Sequence, residues 1–242
     1  ADAVEACRDA ETILLCLGES AAMSGEAACR ADPGLPGEQR ALAEAVLALA
    51  RPVVVLLSSG RPLTVSWLFD RADAVLATWF LGSEAGHAIA DVLTGAFNPS
   101  GKLPVTWPRH GGQVPIFYGQ RPSGRPANPT DHYTSKYLDL PVEPLFPFGH
   151  GLSYSRFALS DLRASPAQIA PGGTIEIAVD VTNEGERGGE TVVFLFIRDP
   201  VASVSRPLLE LRDFTRIALA PGERGTVRWS LPVAALSFLG PD

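Results

Sequence analysis

Along the first hundred residues, short continuous apolar runs alternate with segments of helical spacing. Ile13–Leu17, Val53–Leu57 and Ala74–Thr78 each read as a buried strand, and Pro52 opens the second one cleanly. Between and after them, Pro36–Ala50 carries Leu42, Val46 and Leu49 at helical spacing. Leu63–Phe69 reads as a short helix, and Glu84–Leu93 as another that stops at Gly95. Uninterrupted apolar strands separated by amphipathic helices predict a mainly parallel sheet covered on both faces. Leu103–Thr106 is the candidate for a fourth strand.

From His110 to His150 the periodicity stops, and Gly, Pro, Asn and aromatic residues dominate. A stretch of this length without its own periodicity is usually functional or an ordered connection between domains. His132, Tyr133, Tyr137 and Tyr154 are expected to pack there rather than to touch substrate. After Phe157 the alternation becomes two-residue. Ile175, Ile177, Val179 and Val181 line one face of Thr174–Asn183, and Val192–Ile197, Glu210–Ile217 and Gly225–Leu231 follow between Pro-Gly turns. That pattern predicts a β-sandwich of the immunoglobulin or fibronectin type III kind with about six of seven strands. The reading is therefore α/β followed by all-β: a partial parallel α/β domain over 1–109, a connection over 110–156 and a β-sandwich over 157–242. Both ends look abrupt, with a helix end at the start and a turn at Gly240-Pro241. The chain is expected to be a fragment.

Composition narrows the function. A formal net charge of −7, with 20 scattered basic residues, argues against nucleic acid or an anionic membrane as partner. No apolar run approaches the roughly 20 residues needed to span a bilayer. The 3 cysteines, Cys7, Cys16 and Cys29, lack a C-x-x-C pair, and the 4 histidines are far apart, so no metal site is expected. Cys16, inside an apolar strand, is expected to be a small core residue.

Candidate chemistry lies in the loop after the first strand. Gly18-Glu19-Ser20-Ala21-Ala22-Met23-Ser24-Gly25-Glu26 brings two carboxylates to the carboxyl end of a strand, where open α/β sheets keep their ligands. No nucleophile elbow, Walker loop, dinucleotide fingerprint or zincin motif is present. A carboxyl group can work as a general acid, and glycoside hydrolysis pairs one such acid with a second carboxylate. Glu19 is expected to hold the loop through backbone N–H groups, and Arg30 to pair with Asp32 or with Glu19. Met23 and Ser24 either face a ligand or simply complete the loop.

This loop, Gly25-Glu26-Ala27-Ala28-Cys29-Arg30, resembles the acid/base segment of family 3 glycoside hydrolases, the β-glucosidase and β-xylosidase family. The family pattern His-Glu-Ala-Ser-Ser-Arg keeps its Glu and Arg here, while the His and both serines are replaced. Further blocks resemble the family in order. They are Ser58-Ser59-Gly60-Arg61-Pro62, Trp79-Phe80-Leu81-Gly82-Ser83-Glu84-Ala85-Gly86, Asn98-Pro99-Ser100-Gly101-Lys102-Leu103-Pro104 and Pro147-Phe148-Gly149-His150-Gly151-Leu152-Ser153-Tyr154. Arg206-Pro207, Leu211-Arg212-Asp213-Phe214 and Leu219-Ala220-Pro221-Gly222-Glu223 are similar to the fibronectin III-like domain that ends many members.

The resemblance implies a retaining enzyme of three domains. A barrel, absent from this chain, would supply the nucleophilic Asp and most sugar contacts, and Glu26 would be the general acid/base. It implies a β-linked oligosaccharide or an aryl or alkyl β-glycoside as substrate, no cofactor, and a periplasmic or secreted location. Glu84 reads as a first-turn carboxylate favoured by the helix dipole, and Trp79 and Phe80 as packing residues. The alternative is a non-catalytic structural or carbohydrate-binding module.

Overall fold

In a computed structural model the described residues, 2–240, form two compact units. The expected turn at Gly240-Pro241 lies partly outside them. One unit contains the chain up to Ala90 together with Val105–Ile116 and Tyr137–Pro147. The other contains Asp91–Pro104, Phe117–Lys136 and the chain from Phe148 onward.

The first unit begins with α1 (Asp2–Cys7) and β1 (Ile13–Gly18). It continues through α2 (Gln39–Leu47), β2 (Val53–Ser58), α3 (Ser66–Phe69) and β3 (Ala74–Ala77), and α4 (Ala85–Leu93) contains the division between the two units. The three strands form a parallel sheet in the order β1-β2-β3. Ile13, Leu15 and Leu17 of β1 share a buried face with Val53, Val55 and Leu57 of β2. Ala43 and Val46 of α2, Leu68 of α3, and Leu63 and Val65 are buried too, so removal of these side chains from water holds the sheet to its helices. Trp107 is 1% exposed, and its indole N–H donates to the Leu63 carbonyl at 2.8 Å, which satisfies the one polar atom of a large apolar side chain.

Several expectations change. Cys16 is exposed, not core, because a strand alternates its side chains. With 13, 15 and 17 inward, Leu14 and Cys16 face the other way, and Leu14 is 54% exposed. At β1 the second sheet face is therefore open among the described residues, although the sequence there is apolar on both faces. The helix expected from Pro36 starts at Gln39, since Gly37 has φ +58° and breaks helical geometry; at the far end Ala50 has φ +52°. The Leu63–Phe69 helix shortens to α3, because Val65 (φ −124°, ψ 38°) is non-helical and caps it, while the Thr64 N–H is tied outward to the Pro33 carbonyl. Leu103–Thr106 is not a strand. Pro104 has no N–H for a ladder, and Leu103 instead bonds to the His150 carbonyl and accepts from Gly149 N–H.

The second unit carries five strands among the described residues: β4 (Phe157–Ser165), β5 (Thr174–Asn183), β6 (Gly189–Ile197), β7 (Glu210–Leu219) and β8 (Arg224–Pro232). They make an antiparallel β4-β5-β8 sheet and a β6-β7 pair. Ile177, Val179 and Val181 meet Val193, Leu195, Leu219, Val227, Trp229 and Leu231 in one core, as the two-residue alternation requires. Asn183, fully buried, closes the end of that core. Its amide donates to the Arg187 and Leu219 carbonyls, and its oxygen accepts from Gly185 N–H.

Candidate active-site loop

The parallel register builds the site. Gly18, the last residue of β1, pairs with Ser58, the last of β2, so the segments leaving both strands start side by side. Glu19 N–H donates to the Ser58 carbonyl at 2.8 Å and extends that pairing by one residue. Gly18 is needed here. Its φ is +141°, and an added Cβ would lie 1.8 Å from the Ser58 carbonyl oxygen. The Gln39 side chain clamps the same residue, accepting from Gly18 N–H at 2.7 Å and donating to its carbonyl at 2.8 Å. That clamp joins the start of α2 to the end of β1.

Glu19 is buried, its side chain 0% exposed, and its carboxylate takes two guanidinium groups. Arg30 Nη1 donates to Oε1 at 2.6 Å, and Arg61 Nε donates to Oε2 at 3.2 Å. The expected structural role of Glu19 is met, but through arginines and not backbone N–H groups. Arg30 pairs with Glu19; Asp32 instead accepts from Gly34 N–H at 2.9 Å in a local turn. A buried carboxylate requires such partners, because desolvation of an unpaired charge is prohibitive. Two cations against one anion leave a net positive charge behind the loop.

Both arginines also donate to loop carbonyls. Arg30 Nη1 donates to the Gly34 carbonyl at 2.9 Å. Arg61 Nη2 donates to the Ala28 carbonyl at 2.8 Å and also to the Met23 carbonyl. Those two carbonyls flank the tip of the loop, and Glu26 stands between them, exposed. Backbone geometry at the tip is unusual: Gly25 has φ +122° and Ala27 φ +57°, on either side of Glu26. For an L-residue such as Ala27 the left-handed region costs about 1–2 kcal/mol, which the surrounding hydrogen bonds must offset. Met23 and Ser24 are both half-buried. Ser24 Oγ packs over the turn after β2, where a Cβ on Gly60 would lie 1.8 Å from it.

Other residues singled out from sequence fall elsewhere. Trp79 (φ +54°) sits 5.9 Å from the Trp107 ring, a packing contact, whereas Phe80 is 45% exposed. Glu84 precedes α4, accepts Ala88 N–H on its carbonyl, and places its carboxylate 2.8 Å from His87 Nδ1 in solvent. No group of three or more His, Cys, Asp or Glu side chains placed to hold a metal is found among the described residues. What sequence reading missed is Arg61. It was visible only as part of a strand-end turn, yet the pairing of Ile13–Gly18 with Val53–Ser58 would have put it opposite Glu19.

The loop at the carboxyl end of a parallel sheet thus carries an exposed carboxylate, and a β-sandwich follows in the chain. Residues 1–154 match the glycosyl hydrolase family 3 C-terminal domain, and residues 191–242 match a fibronectin type III-like domain. The chain belongs to glycosyl hydrolase family 3. It is 44% identical to a periplasmic β-glucosidase of Salmonella typhimurium, over 98% of this chain and 31% of that protein. It is 39% identical to a β-xylosidase of Formosa agariphila, over 100% of this chain and 33% of that one. The crystal structure of a Listeria innocua β-glucosidase in complex with glucose superposes with a TM-score of 0.93 at 41% identity, covering 98% of this chain and 33% of the other. The chain thus spans about a third of the length of these relatives.

Proposed function

We propose that the protein carrying this chain hydrolyses terminal β-glycosidic bonds with retention of configuration, and that Glu26 is its general acid/base. The observation that carries this reading is the setting of Glu26: exposed between Gly25 and Ala27, at the tip of a loop whose two shoulders are tied to one guanidinium. A proton donor in glycoside cleavage has to project toward a ligand from a fixed base, because misplacement by about 1 Å can cost about 100-fold in rate. In the first step the Glu26 carboxyl protonates the departing glycosidic oxygen while a carboxylate from a barrel domain attacks the anomeric carbon. In the second, the Glu26 carboxylate takes a proton from the water that releases the sugar. The two carboxyl groups of such a retaining pair stand about 5–5.5 Å apart. No cofactor enters either step.

The substrate class is a β-linked oligosaccharide or an aryl or alkyl β-glycoside, in keeping with the β-glucosidases and the β-xylosidase that the chain resembles. Because the nucleophile is assigned to a separate domain, the 242-residue chain alone has no measurable glycosidase activity under this reading. The test is Glu26→Gln in the intact gene product. Cleavage of an alkyl β-glucoside, whose leaving group needs a proton, falls about 100- to 10,000-fold. Activity within a few-fold of wild type would remove Glu26 from the reaction.

A further inference from the structure

We propose that Arg61, itself held by Glu19, is the positioning residue that fixes Glu26 for proton transfer; the proposal rests on Glu26 being the acid/base. Three independent features converge on this guanidinium. First, its Nη2 donates to the carbonyls of both Met23 and Ala28, so one nitrogen closes the loop across its neck and leaves Ser24, Gly25, Glu26 and Ala27 as the span between. Second, its Nε donates to Glu19 at 3.2 Å, and Glu19 is fully buried and continues β1, so the strut is anchored in the sheet rather than in the loop it supports. Third, the span it closes contains two positive-φ residues in four positions, at Gly25 and Ala27, a shape that a free loop would relax.

Arg61 does not touch the reacting atoms in this account. Its side chain is 23% exposed and spends its donors on loop carbonyls and the Glu19 carboxylate. The geometry also states why arginine is required. A planar guanidinium can address a carboxylate with one edge and backbone carbonyls with the other, whereas an ammonium is a single point of attachment. Arg30 makes a related link from Glu19 to Gly34, but beyond the loop tip, and so supports its descending limb.

The test separates positioning from simple stabilisation through the leaving group. Variants Arg61→Ala, Arg61→Lys and Glu26→Gln, with Arg40→Ala as a surface control, are compared in the intact gene product. Each is assayed on methyl β-glucoside and on 2,4-dinitrophenyl β-glucoside. If Arg61 positions the proton donor, Arg61→Ala lowers kcat/KM on the methyl glycoside by about 100-fold. On the dinitrophenyl glycoside, which departs without a proton, the value changes less than about 3-fold, and Glu26→Gln gives the same contrast in larger measure. Added guanidinium ion restores part of the Arg61→Ala loss, and Arg61→Lys recovers little. Equal losses on both substrates, or no loss at all, overturn the role of Arg61 while Glu26→Gln keeps its contrast. Absence of the contrast in Glu26→Gln itself overturns the acid/base reading and the proposal with it.

Discussion

Glu19 and Arg61 lie 42 residues apart in sequence and meet at 3.2 Å because β1 and β2 run parallel and end together at Gly18 and Ser58. Their contact lies directly behind the loop that carries Glu26, and Arg30 completes a three-member cluster on the same carboxylate. The sheet thereby sets the position of a loop that has no regular structure of its own beyond a single 3-10 turn at Ala21–Met23.

The cluster is expected to matter for stability. Glu19→Ala leaves two guanidiniums, each about four-fifths buried, without their shared counter-charge. Breaking a buried pair from one side costs roughly 3–5 kcal/mol. Because both arginines keep some water contact, the loss in urea unfolding of the chain should be about 3 kcal/mol. A loss under about 1 kcal/mol would mean that the cluster does not hold the loop.

Backbone strain at the tip predicts opposite signs at neighbouring positions. Ala27→Gly removes a left-handed alanine but adds freedom to the unfolded chain, a balance of about 1–2 kcal/mol gained against about 0.4–1 kcal/mol lost. The folded state is then unchanged or slightly more stable. Gly25→Ala forces a φ of +122° on a residue with a Cβ and costs about 1–3 kcal/mol, even though no atom lies within 4 Å of the new methyl. Chemical denaturation of both variants checks the pair. Destabilisation by Ala27→Gly would show that the angle carries no strain.

Acid sensitivity is expected from the β-sandwich. Asp180 accepts from Arg163 at 2.9 Å and Thr226 at 2.7 Å and also bonds Arg224, interactions that hold its carboxyl well below the usual carboxylate range. A carboxyl whose folded pKa is depressed stabilises the protein above its unfolded pKa of about 3.9, and that contribution is lost as pH falls toward the folded value. Asp180→Asn is therefore less stable than the parent at pH 7, and the difference shrinks once pH drops below about 4. Urea midpoints measured from pH 7 to pH 3 test this; a gap that stays constant over the range would contradict it.

Thiol chemistry reads the sheet parity. Cys16 and Cys29 are exposed and Cys7 only partly so. In the native chain Cys16 and Cys29 should react with a disulfide reagent at close to the rate of free thiols, with Cys7 slower. Protection of Cys16 until unfolding would place it in a core and reverse the register of β1.

Element order, parallel pairing and the later alternation of the sandwich were legible because apolar periodicity decides them, and the family motifs were legible because they are local strings. Cys16 was misread for a physical reason. An apolar strand gives no polar residue to mark its outer face, so Leu14 and Cys16 looked as internal as Ile13 and Leu15. The start of α2 moved because Gly37 takes a left-handed φ, and that of α3 because Thr64 pairs with Pro33, a partner distant in sequence. The partners of Glu19 were half visible. Arg30 was a candidate from its proximity, whereas Arg61 needed the strand register, a long-range fact that no local pattern records.

The most direct test of the role of Glu26 is the product formed by Glu26→Ala of the intact gene product on 2,4-dinitrophenyl β-glucoside with sodium azide present. With the acid/base carboxyl removed, azide can enter the space it vacates and attack the glycosyl-enzyme without needing a base. Turnover then rises with azide, and NMR shows a β-glucosyl azide, the retained configuration. No acceleration by azide, or an α-glucosyl azide as product, would contradict the assignment of Glu26.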